Sequence, residues 1–164
     1  MANYDLDKLY TALSFAETGG EKNPWIRTNF RPPEGSSAFG PVQITKGLLE
    51  GAIKNNLLSP DSVKFANESL LPMQSLMLKY GGGDMQPGYE MYDYGGTGGF
   101  DSRQHSKAYN QLSKELIKWH IEKSGGDIDK FLRLWTSGNL TGKSPEKGYI
   151  NRFKSKYKNS PYAR

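Results

Sequence analysis

Apolar residues recur at helical spacing from the start of the chain. Leu6, Tyr10 and Leu13 lie eleven, seven and four residues before Glu17, so the spacing predicts a helix from Asp5 to Ala16 with all four side chains on one face. Asp5 or Asn3 is positioned to cap its start. Gly19-Gly20 stops it, because glycine accepts the left-handed backbone angles at which helices commonly end. Glu17 is thereby left at the lip of whatever the next segment builds.

Further along, residues 18–40 hold four glycines and three prolines and cannot be regular helix. Within them Trp25-Ile26-Arg27-Thr28-Asn29-Phe30 has the aromatic and β-branched content of a short strand. Helical patterning returns from Val42 to about Asn55, then from Pro60 to Ser69 and from Pro72 to Lys79, with a proline near the first turn of the last two. Residues 81–99 are rich in glycine and tyrosine. That composition suits a mobile flap with aromatic faces on which sugar rings stack, and equally an exposed insertion whose tyrosines pack locally.

A strong helical pattern covers Ser102 to Lys123 through Ala108, Leu112, Leu116 and Trp119, and Gly125-Gly126 ends it. Asp127 caps a helix from Ile128 to Trp135, and a last helix runs from about Pro145 to Lys158. No segment of about 20 to 50 residues repeats, which excludes a solenoid. The pattern predicts a mainly α fold with at most a small β element, formed as one domain over residues 1–164.

Composition narrows the functional classes. With 35% hydrophobic and 24% charged residues, the chain reads as soluble and globular. It has no apolar run near the roughly 18 residues of a membrane span, so no membrane insertion is expected. Met1-Ala2-Asn3-Tyr4-Asp5 lacks the basic and apolar layout of a signal peptide. Cysteine is absent, which removes disulfides, zinc-thiolate sites and thiol nucleophiles. The net charge of +5 favours an acidic partner, either nucleic acid or an anionic cell-wall polymer. Lysines that alternate with aromatics near residues 152–164 read first as a solvated helix face, so nucleic-acid binding is the lesser expectation.

Among candidate chemical groups, His105 and His120 have no partner at metal-ligand spacing, and no H-E-x-x-H or G-x-S-x-G motif is present. No metal or cofactor is expected, and His120, between Trp119 and Ile121, reads as structural. The remaining candidate is Glu17. A carboxyl group against leucines and tyrosines is penalised in its charged form, so its pKa rises and it can serve as a general acid. A glutamate at a helix end can equally turn into water or cap nearby amides.

Four ordered motifs carry a resemblance. Glu17-Thr18 closes the first helix, and Ser36-Ser37-Ala38-Phe39 leads into Gly40-Pro41-Val42-Gln43. Gly126-Asp127 then precedes Leu132-Arg133-Leu134-Trp135-Thr136-Ser137-Gly138, and Gly148-Tyr149-Ile150-Asn151-Arg152-Phe153 comes last. The set resembles the lysozyme-like domain of soluble lytic transglycosylases and the related goose-type lysozymes. The resemblance implies an α-helical, lysozyme-like bundle around a glycan-binding cleft, with Glu17 as catalytic acid and Gly40 to Gln43 opening the helix that lines the cleft. It further implies Tyr149 close to the acid, with Ser37, Gln43 and Thr136 as substrate contacts. Trp135-Thr136 departs from the family's Tyr-Asn pair, so Thr136 stands where an asparagine normally supplies a hydrogen bond.

The same resemblance implies cleavage of the glycan strands of peptidoglycan, without nucleic acid, by a monomer or a virion-associated chain. It implies a phage lysis enzyme or virion component acting on the bacterial wall. Hydrolysis at such a site needs a second carboxylate. The position nine residues beyond Glu17, where a phage-type lysozyme has aspartate, is Ile26, and Glu21 and Glu34 are the nearest alternatives. A single acid favours transglycosylation. A muramidase using Glu21 or Glu34 is the first alternative, and a non-catalytic glycan-binding or virion structural module the second.

Overall fold

The computed structural model describes residues 4–20, 37–79 and 102–157. The strand expected over Trp25–Phe30 and the glycine- and tyrosine-rich residues 81–99 lie outside the described residues. Those described are mainly helical: α1 (Leu6–Thr18), α2 (Lys46–Lys54), α3 (Pro60–Phe65), α4 (Leu71–Lys79), α5 (Ser102–Lys123), α6 (Ile128–Ser137) and α7 (Lys147–Tyr157). The β content among the described residues is one isolated antiparallel bridge between Phe39 and Ile44. The mainly α fold class expected from the pattern is therefore the fold observed. No described helix is long and apolar enough to cross a membrane.

The chain divides into two compact units. One joins Met1–Glu21 to Ser113–Arg164, and the other is Lys22–Leu112, so the division falls within α5. The first unit is built on α1, α6, α7 and the second half of α5. Asp5 caps α1 by accepting a hydrogen bond from the Lys8 amide at 3.0 Å. Gly19, at φ +65°, closes it by donating to the Phe15 carbonyl. α1 thus extends one residue past Glu17, which sits in its last turn rather than beyond its end. Leu9, Ala12, Leu13 and Ala16 are buried along α1, and α7 is its principal partner. Aromatic rings continue this core from α6 into α7: Trp135, Phe131, Phe153 and Tyr157 follow one another at 6.3, 6.1 and 5.4 Å between centroids.

In the second unit, the segment expected to open a helix at Val42 is a tight turn instead. Phe39 and Ile44 exchange both backbone hydrogen bonds at 3.1 Å, and the Gln43 amide donates to the Gly40 carbonyl. Gln43 takes φ +53°, and Gly40 takes φ +81°. The helix begins only at Lys46, because Thr45 turns its hydroxyl back to accept from the Leu48 amide and caps it there. Tyr109 and Gln74 fasten this turn. The Tyr109 hydroxyl donates to the Phe39 carbonyl at 2.7 Å and accepts from the Val42 amide at 3.3 Å. The Gln74 side-chain amide donates to the carbonyls of Ser37 and Ile44.

The break expected between Ser69 and Pro72 does not occur. A π-helical turn, Ala66–Leu70, joins α3 to α4, and the Leu71 amide donates to the carbonyl of Ala66, five residues back. Proline inside a helix lacks an N–H and crowds the carbonyl four residues before it. The wider turn just ahead of Pro72 accommodates both, so the helix continues through the proline.

Candidate active site

Glu17 meets two helices of its own unit. From the first turn of α7, Tyr149 donates its hydroxyl to Glu17 Oε1 at 2.7 Å, a contact between residues 132 positions apart in the chain. The Trp135 side chain on α6 lies near enough to favour the carboxylate form of Glu17 as a hydrogen-bond donor. Its indole nitrogen can only donate. Both donors are neutral, and both side chains are largely removed from water.

One turn past Tyr149 on α7, Arg152 supplies the local positive charge. Its Nε and Nη2 donate to the Ala16 carbonyl at 3.1 and 2.8 Å, and its guanidinium lies 6.0 Å from the Tyr149 ring centroid. The last carbonyls of a helix have no partner within it and carry the negative end of its dipole. α1 has no basic residue in its own last turn, so Arg152 satisfies that end from α7 and fixes α1 to α7 beside the acid.

These neighbours pull the acid in opposite directions. Burial, the largest effect, pushes the Glu17 pKa from 4.5 up to about 7, against the hydrogen bonds from Tyr149 and Trp135 and the charge of Arg152, all of which favour the carboxylate. No other described carboxylate is among the causes of that rise. Near neutrality about half of the molecules then hold the Glu17 proton. Burial, followed by the neighbouring Glu17 charge, raises the Tyr149 phenol far above its ordinary value, so it remains a hydrogen-bond donor. Tyr10, on the same stripe of α1, is also raised by burial.

Glu17 and Tyr149 are thus brought together as expected, whereas the other three expected contacts are engaged locally. The Thr136 hydroxyl donates to the Leu132 carbonyl of its own helix at 2.7 Å, and Trp135, one residue earlier, is the α6 residue that favours the Glu17 carboxylate. Ser37 and Gln43 belong to the other unit. The Ser37 hydroxyl accepts from the Lys46 amide at the start of α2. The Gln43 side chain donates to the Gly40 carbonyl at 2.9 Å and so folds over its own turn. Glu21 and Glu34 lie outside the described residues.

Trp135 and Arg152 were not singled out by the sequence. Arg152 had a signal, since it falls three residues after Tyr149 and shares its helical face. Trp135 had one as well, since it stands where the motif resemblance has a tyrosine, beside Thr136. His120 is structural, as expected: its Nδ1 lies 2.7 Å from the Leu116 carbonyl within α5. Among the described residues no three histidine, aspartate or glutamate side chains converge on a possible metal position. Comparison of the chain with protein families, curated proteins and solved structures finds no match to any of them.

Proposed function

We propose that the chain is a peptidoglycan lytic transglycosylase that cleaves the β-1,4 bond between N-acetylmuramic acid and N-acetylglucosamine. The single observation that supports this reading is the state of Glu17. It is a partly buried carboxyl group whose pKa burial raises to about 7, and the Tyr149 hydroxyl donates to it at 2.7 Å. An acid poised at the working pH is what protonation of a glycosidic oxygen requires, and the Tyr149 hydroxyl stabilises the carboxylate left behind.

The reaction then needs one carboxyl group used twice. Glu17 gives its proton to the glycosidic oxygen as the bond from that oxygen to muramic C1 breaks, and the substrate's N-acetyl oxygen bonds to C1. The Glu17 carboxylate next takes the proton of the muramic 6-hydroxyl. O6 bonds to C1 as the N-acetyl oxygen leaves, which forms the 1,6-anhydro ring and returns the proton to Glu17. Water takes no part. Tyr149 holds the carboxyl group in place through both steps. The motif resemblance and the net charge of +5 favour action on an anionic bacterial wall, as a phage lysis enzyme or a virion component.

Mass analysis of digested peptidoglycan tests the reading. Anhydromuramic ends are expected, and ends carrying added water would identify a muramidase instead. Glu17→Gln keeps the size of the side chain and removes its acidity. Wall cleavage should fall by at least about a hundredfold, and cleavage that survives unchanged overturns Glu17 as the acid. A chain that binds glycan strands but releases no product is a binding module.

A further inference from the structure

The end of α1 that carries Glu17 is the end at which a carboxylate is least favoured. Glu17 sits in the last turn, before the left-handed cap at Gly19, and no basic residue of α1 lies in that turn. The last carbonyls there present the negative end of the helix dipole. Arg152 meets this end from α7. Its Nε and Nη2 both donate to the Ala16 carbonyl, at 3.1 and 2.8 Å, and that carbonyl belongs to the peptide group joining Ala16 to Glu17. Both donations go to the backbone, and among the described residues no ion pair joins Arg152 to Glu17. Tyr149, one turn earlier on α7, has its ring centroid 6.0 Å from the guanidinium and donates its hydroxyl to Glu17 at 2.7 Å. Cation, acid and phenol thus form a closed set of contacts within one unit.

We propose that Arg152 is a positioning residue for the acid: anchored by two donors on the peptide group that leads into Glu17, it holds a fixed positive charge beside the carboxyl group without pairing to it, and stabilises the carboxylate left after proton transfer. The anchorage decides its effect. A cation in direct contact with a carboxylate holds it ionised and lowers its pKa by about one to three units, and an ionised Glu17 has no proton to give. A guanidinium swinging in water would be screened and contribute little. Fixed on the Ala16 carbonyl, the charge leaves the buried acid its proton near neutrality, yet opposes the negative helix end once the carboxylate forms. The other charged groups of these helices are engaged elsewhere. Lys156, one turn further along α7, lies 4.7 Å over the Phe15 ring. Lys154 pairs with Asp129 of α6 at 3.4 Å, and Lys114 of α5 pairs with Asp7 at the other end of α1. Tyr10, raised by burial, keeps its proton.

This inference rests on Glu17 being the acid, yet it can be tested without substrate. The measurement is the carboxyl titration of Glu17, followed by carbon NMR in protein labelled at glutamate side chains and assigned with Glu17→Gln. Arg152→Gln removes the charge and keeps a side-chain donor, and should raise the Glu17 pKa by about half a unit or more. Arg152→Lys keeps the charge, and a single carbonyl oxygen does not require a forked donor, so this variant should restore most of the wild-type value. Lys156→Gln removes a charge from the same helix, and Glu17 should titrate in it as in the wild type. An Arg152→Gln protein that melts earlier while Glu17 titrates normally overturns the proposal. A shift in Arg152→Lys or Lys156→Gln as large as that in Arg152→Gln overturns it too. The wild type supplies a check that needs no variant: the Arg152 Nε proton resonance should move with the midpoint of the Glu17 titration, and a resonance constant over that range overturns the fixed placement. Absence of anhydro products from the wild type would instead count against the reaction assigned above and leave these titrations unchanged.

Discussion

At the scale of single residues, the acid at position 17 is a balance in which burial outweighs three favourable contacts. Removing one contact should therefore move its pKa further from the ordinary value. Tyr149→Phe keeps the ring and deletes the 2.7 Å hydrogen bond, so the Glu17 pKa should rise above about 7. The pH profile of glycan cleavage should shift upward with it, and the rate at neutral pH should fall by roughly tenfold. An unshifted profile would mean that the phenol only packs. The pairing of Glu17 with Tyr149 could be expected from the chain because both carry motif positions and Glu17 shares a stripe with Leu13 and Tyr10. Trp135 also stands at a motif position, where the resemblance has a tyrosine, but its effect on the Glu17 pKa comes from the packing of α6 and not from the motif.

At the scale of elements, helix ends were legible wherever a side chain or a glycine closes them. Asp5, Asp127 and Gly19 do what their positions indicate, and Ser102–Lys123 has the expected limits. The segment before α2 was misread because Val42-Gln43-Ile44-Thr45 carries no glycine at the position that turns left-handed. Gln43 occupies that conformation at φ +53°, which costs a residue with a side chain on the order of 1 kcal/mol or more. The bonds from Tyr109 and Gln74 compensate. Gly40 has a stricter requirement, because a Cβ there would lie 2.5 Å from Tyr109 Cζ and the backbone is at φ +81°. Gly40→Ala should therefore destabilise the protein by about 3 kcal/mol or more, as measured by chemical denaturation. A loss below about 1 kcal/mol would mean that Tyr109 moves aside freely.

At the scale of the whole molecule, the raised pKa of Glu17 links stability to pH. Its folded value of about 7 exceeds the ordinary 4.5, so the folded chain binds the proton more tightly than the unfolded one. The stabilisation is complete below pH 4.5 and is lost as pH rises toward 7. Glu17→Gln removes this dependence. At pH 8 the variant should exceed the wild type in stability by no more than about 3 kcal/mol, and near pH 4 the two should be nearly equal. Melting temperatures of both proteins across that range provide the check, and curves that stay parallel would place the carboxyl group in water. The helical class of the described residues was readable from periodicity, whereas the division into two units was not. Nothing in the local pattern of Ser102–Lys123 marks the point at which that helix passes from one unit to the other.

The unit that holds Glu17 joins residues 1–21 to residues 113–164, and this has a consequence during synthesis. Glu17 and Tyr149 are 132 residues apart, so a growing chain carries Glu17 as an ordinary solvated carboxylate until α7 emerges. Truncated products that lack residues 147–157 would keep the glutamate and lose its elevated proton affinity. The raised proton affinity of Glu17 is thus tied to the arrival of α7.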